Sequence, residues 1–70
     1  MSKIEIGDYV IAEFAQFDDF TGITWSVVEF TRNMLGQECV RVQNIARPDQ
    51  STTLFYPHEL VFEDGSIPSR

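Results

Sequence analysis

Thr52-Thr53-Leu54-Phe55-Tyr56-Pro57-His58-Glu59-Leu60-Val61-Phe62 reads as a strand, one enforced corner and a second strand. Pro57 has no N–H and a φ fixed near about −65°, and it biases Tyr56 toward extended backbone, so the run is neither one helix nor one central strand. The chain must turn at Pro57-His58-Glu59. A single 3₁₀ turn does this within three residues, and it predicts that Leu60 and Phe62 are laid back across a sheet built by the earlier segments.

Working outward from that corner, the preceding segments alternate as strands do. Tyr9-Val10-Ile11-Ala12-Glu13-Phe14 sets Val10, Ala12 and Phe14 on one face and Tyr9, Ile11 and Glu13 on the other. Ile23 to Phe30 alternates cleanly through Ile23, Trp25 and Val27, after which Val28 and Phe30 take up the other face. A bulge or strong twist is expected at Val27-Val28. Thr31-Arg32-Asn33-Met34-Leu35-Gly36 has hairpin-turn composition. Residues 37–45 form a third strand with Val40 and Val42 inward and Cys39, Arg41 and Gln43 outward. Ala46-Arg47-Pro48-Asp49-Gln50 turns the chain into a fourth strand over 51–56, and 60–63 makes the fifth. Residues 1–6 read as an arm or short strand, 7–63 as the domain and 64–70 as a mobile tail. No apolar pattern of helical period persists for ten residues or more.

Seventy residues make one domain with a thin core, since a chain of this size buries only about 60% of its unfolded surface. Six Phe, two Tyr and one Trp offset this, because each large ring buries on the order of 150–250 Å². The lone Cys39 has no internal disulfide partner, and Met1-Ser2-Lys3-Ile4-Glu5 does not read as a signal peptide. A cytoplasmic location is expected. No apolar run approaches the roughly 20 residues that span a bilayer, so no membrane partner is expected.

The net charge of −6 argues against nucleic acid as a default ligand, because such affinity comes largely from Lys and Arg on phosphates. Its distribution is uneven. Residues 1–30 carry six acids against Lys3, and residues 49–70 carry four against Arg70, whereas residues 31–48 carry Arg32, Arg41 and Arg47 against Glu38.

Five short strands, short connections and a one-turn corner before the last strand define an all-β class: a small five-stranded, partly open barrel. With Gly7-Asp8-Tyr9-Val10 at the start, Gly22 and Trp25-Ser26-Val27-Val28 in the second strand, Val40-Arg41-Val42 in the third and Tyr56-Pro57-His58-Glu59-Leu60 at the corner, the chain resembles the SH3-like barrels. That group is broad and takes in KOW, Tudor-like and small bacterial and phage domains. The resemblance implies a fold and leaves function open, because this architecture serves peptide, methyl-lysine, nucleic-acid and structural roles alike. The basic residues that RNA-contacting KOW domains share are sparse here.

Catalysis needs convergent groups, and the residues on offer are few. His58 sits at the corner beside Glu59, where an exposed turn histidine is the ordinary reading. Cys39 has Arg41 two residues along its own face, a pairing that can activate a thiol, but its ordinary reading is a half-buried strand residue. Cys39 and His58 alone do not make a zinc site, and Asp18-Asp19 lacks the ligand spacing of a calcium loop. No catalytic activity, cofactor or metal is expected.

The stretch Phe14 to Trp25 is the best candidate for binding. Phe17 and Phe20 bracket Asp18 and Asp19, with Trp25 just beyond, an arrangement that resembles in kind the acidic, aromatic loops of SH3-type peptide grooves. The alternative is that Phe17 and Phe20 plug the barrel while Trp25 packs in its core. On the first reading the domain binds a basic or extended protein partner through Phe17, Asp18, Asp19, Phe20, Trp25 and Phe55. Two other classes stay open: an acidic mimic of nucleic acid that blocks a nucleic-acid-binding protein, and a nucleic-acid binder using Arg32, Arg41 and Arg47. Exposed edge strands also leave open pairing with a second copy.

Overall fold

The computed structural model describes residues 3–14, 20 and 22–68. A 3₁₀ turn occupies Pro57–Glu59, where the proline demands it. Its hydrogen bonds explain why the corner is tight. The Tyr56 N–H donates to the Glu59 carboxylate at 2.8 Å, the Glu59 N–H donates to the Tyr56 carbonyl at 3.0 Å, and the Leu60 N–H closes onto the Pro57 carbonyl at 3.2 Å. Three backbone donors that a bend would otherwise strand are thus satisfied within five residues.

Five antiparallel strands form one sheet: β1 (Tyr9–Ile11), β2 (Trp25–Arg32), β3 (Glu38–Asn44), β4 (Thr53–Phe55) and β5 (Val61–Phe62), in the order β4-β3-β2-β1-β5. The three middle strands make a meander. The corner returns β5 to the far side of β1, pairing Val10 with Phe62 and Ile11 with Val61. β4 and β5 remain the two edges, so the sheet curls into a partly open barrel without closing. This is the architecture the sequence predicts, with four strands shorter than expected and β2 shifted, starting at Trp25 and running through Thr31 and Arg32, two residues that read as turn.

The expected bulge is present. β2 pairs with β3 through Val27↔Val42 and then Glu29↔Arg41, leaving Val28 as the extra residue. Its effect is to change the face of everything that follows. Strict alternation from Trp25 and Val27 would turn Glu29 inward; with Val28 inserted, Phe30 takes the inner face opposite the buried Val40. Glu29 is left outside, where its carboxylate meets the Arg41 guanidinium at 3.5 Å.

The core is formed by Val10, Trp25, Val27, Val40, Val42, Phe55 and Leu60, with Ile4, Ala12, Phe20, Ile23 and Phe62 packed around it. Leu60 and Phe62 therefore lie where the corner was expected to send them. Cys39 differs from expectation. Placed outward by alternation, it is only 4% exposed. Its side chain is short and flanked on its own face by Thr31 across the ladder and Arg41 two residues on, so little else is needed to cover it. The first strand is also shorter than predicted: it ends at Ile11, and Phe14 lies beyond it, exposed.

No helix among the described residues is long and apolar enough to cross a membrane.

Candidate functional site

Two groups of aromatic side chains meet the inner face of the sheet, and they are treated differently. In the first, Phe20, Trp25 and Phe55 make three mutual edge-to-face contacts, with ring centroids 5.0 to 5.9 Å apart. Trp25 and Phe55 are buried and Phe20 is half-buried. Phe20 and Trp25 are thus packed, as the alternative had them, and Phe55, expected at the binding surface, is buried with them. The Trp25 indole N–H is buried with no hydrogen-bond partner among the described residues. Phe17, Asp18 and Asp19 lie outside the described residues.

The second group lines a groove of about 850 Å³ between the N-terminal arm, the far half of the β2–β3 hairpin and the 3₁₀ corner. Phe14, Phe30, Tyr56 and Pro57 supply its apolar walls, and Val40 and Leu60 lie at its base. Each wall is fixed for a separate reason. Phe14 is held at the corner because its N–H donates to the Glu59 carbonyl at 3.1 Å. Phe30 is turned inward by the Val28 bulge and remains 42% exposed, because β1 and β5 do not extend far enough to cover it. The Tyr56 ring stacks on His58, with centroids 5.5 Å apart and planes 8° from parallel. Glu38, Gln37 and Lys3 add polar edges.

The Tyr56 hydroxyl also ties the groove to the β2–β3 turn. It donates to the Gln37 side-chain oxygen at 3.1 Å and accepts from Asn33 Nδ2 at 3.2 Å, while Asn33 Nδ2 also reaches Gln37 at 2.9 Å. Sequence reasoning missed Phe30 and Tyr56 as surface rings. A signal existed: Phe30 follows the face change at Val28, and Tyr56 precedes a proline that ends its strand.

Beside the groove, Glu5, Asp8, Glu63 and Asp64, with Lys3 among them, line a shallow depression that also exposes Tyr9. Ser66 donates to the Asp64 carboxylate through its hydroxyl (2.6 Å) and its backbone N–H (2.9 Å), and these bonds, the hydroxyl first, lower the Asp64 pKa below the ordinary aspartate value.

The three arginines do not converge. Arg32 donates to the Gly36 carbonyl at the hairpin tip, Arg41 contacts Glu29 and Thr52 at mid-strand, and Arg47 lies in the exposed turn beyond β3. The seven residues of β3 alone put roughly 20 Å between that tip and that turn. Among the described residues, no group of three or more His, Cys, Asp or Glu gathers as a metal site would. No family model, curated protein or solved structure matches the chain.

Proposed function

We propose that this is a non-catalytic protein-interaction domain, which takes an extended segment of a basic partner in the groove walled by Phe14, Phe30, Tyr56 and Pro57. The supporting observation is that Phe14, Phe30 and Tyr56 are exposed beside the half-buried Pro57, with the Phe14 backbone held by a hydrogen bond, Phe30 turned by the bulge and Tyr56 stacked on His58. Rings fixed before binding cost little entropy to order, which favours a flexible ligand laid against them. The basic preference draws on the net charge of −6 and on the four carboxylates of the depression beside the groove, which outnumber Lys3 there; at the groove edge itself Lys3 offsets Glu38. Asp18 and Asp19 contribute to the same charge.

The test is titration of the isotope-labelled chain with a panel of extended peptides, basic, neutral and acidic, each carrying aliphatic residues. Saturable shifts at Phe14, Phe30 and Tyr56 with the basic peptides, weakened by Phe14→Ser and by added salt, are expected. Shifts confined to other surfaces, or equal response to acidic peptides, refute the reading. The second reading, an acidic mimic of nucleic acid, draws on the gathering of Glu5, Asp8, Glu63 and Asp64. It predicts that a nucleic-acid-binding protein shifts those four residues and is displaced by DNA.

A further inference from the structure

Beyond β5 the chain doubles back, and a few local bonds set its direction. The Phe62 N–H donates to the Ser66 carbonyl at 2.9 Å, and the Gly65 N–H donates to the Phe62 carbonyl at 2.8 Å. The Asp64 carboxylate holds the bend from within through Ser66. Gly65 supplies the positive φ, +89°, that so short a reversal requires. Residues 67 and 68 are thereby sent back along the molecule, and both arrive at the aromatic groove. Ile67 lies where the groove meets the acidic depression, as does Lys3.

The two residues reach the groove without being built into its wall. Val40 and Leu60 belong to the core, Phe30 stands in β2 and Phe14 is bonded to the corner. Ile67, by contrast, makes no backbone hydrogen bond among the described residues, and it is 63% exposed. Its conformation is narrowed all the same. Pro68 has a fixed φ and biases Ile67 toward extended backbone, so little entropy remains to be lost when the pair is laid against a surface. An extended aliphatic segment is also the chemistry for which the groove walls are suited.

We propose that Ile67 and Pro68 are a strap, pivoting on the bonded Ser66, that closes the groove by lying in it in place of the partner's segment. The proposal rests on the groove taking an extended aliphatic ligand, as the reading above does, and adds that the chain carries its own competitor for that site. Because the tether is short, the strap is present at the groove at an effective concentration on the order of mM, so a weak contact suffices to close it for much of the time. The same weakness lets a partner displace it.

Titration of the isotope-labelled full chain with the basic peptides, wild type against Ile67→Ser with Pro68→Ser, tests the strap. The variant is expected to bind at least about threefold more tightly, which corresponds to a wild-type groove closed for about two-thirds of the time. Pro68→Gly, which keeps the isoleucine and frees the backbone, gives a smaller rise in the same direction. Before peptide is added, nuclear Overhauser contacts join the Ile67 methyl groups to ring protons of Phe14, Phe30 or Tyr56, and saturating peptide removes them. Absence of those contacts from the free wild-type chain overturns the proposal. So does weaker binding by the variants, which instead makes Ile67 and Pro68 part of the wall on which a ligand rests. Equal affinity in wild type and variants ends the strap and leaves the functional reading standing, whereas a panel that binds neither chain ends both. Peptides that bind the strap variant alone support both.

Discussion

Trp25 and Phe30 stand five residues apart on β2, on the same face of the sheet, and meet opposite fates. Trp25 is enclosed by Phe20 and Phe55, whereas Phe30 looks into an open groove with Phe14 and Tyr56. Residue type does not separate them; neighbours do. Trp25 pairs with Val10 in β1, so it lies under the part of the sheet where β5 folds over. Phe30 lies past the end of β1, where only β3 and the corner remain to meet it. In a barrel this small the strand lengths decide which rings hold the fold together and which stay open to solvent.

The sharpest way to break the comparison is truncation of one ring from each group. Trp25→Ala or Phe55→Ala should cost about 3–5 kcal/mol in denaturant unfolding, the range for removing a buried aromatic ring. Phe14→Ser, at 59% exposure, should change stability by no more than about 0.5 kcal/mol while weakening peptide binding in the groove. Comparable losses at both positions would remove the distinction. Next in size is Gly36→Ala. A Cβ there meets no atom within 4 Å, but the positive φ is strained for alanine, so about 1–2 kcal/mol of destabilisation is expected. Its reading is made by thermal or chemical melts.

Deletion of Val28 sharpens the comparison from the other side. It removes the extra residue yet keeps Trp25, Val27 and Phe30 on one face, so the β2–β3 pairing should survive while the local twist relaxes. Amide exchange in β3 should stay protected, and peptide affinity should fall. The smallest effect concerns the depression beside the groove. The Asp64 pKa is depressed in the fold, so its contribution to stability is present above the ordinary aspartate range of about 3.9 and is lost as pH falls through the lowered value. Asp64→Asn should lower stability slightly at pH 7, leave it unchanged below the lowered value, and so flatten the acid limb between them.

Much of this was readable from residues alone, and for local reasons. Pro57 constrains its own φ and its predecessor, so the corner was fixed by two residues, and the face change at Val27-Val28 marked the bulge. The direction of that bulge was not readable, because alternation alone does not say whether the partner strand absorbs the extra residue. Strand ends were also overextended: Phe14 continues the period of β1 but lies past its last ladder partner. Cys39 shows a further limit, since burial on an outer face depends on which neighbours are longer. The site was legible only as a wealth of aromatic residues. Trp25, Phe20 and Phe55 carry the same sequence signal as Phe30 and Tyr56, and only the sheet's geometry divides them.

The extra residue in β2 also decides which changes of length the strand can absorb. Loss of either Val28 or Glu29 removes the bulge and leaves Phe30 beside Val40, whereas one amino acid added between Val28 and Glu29 would set Glu29 there. A carboxylate would then sit against the apolar base of the groove and lose the arginine it meets outside. The groove wall can therefore tolerate a residue lost at the bulge far more readily than one gained.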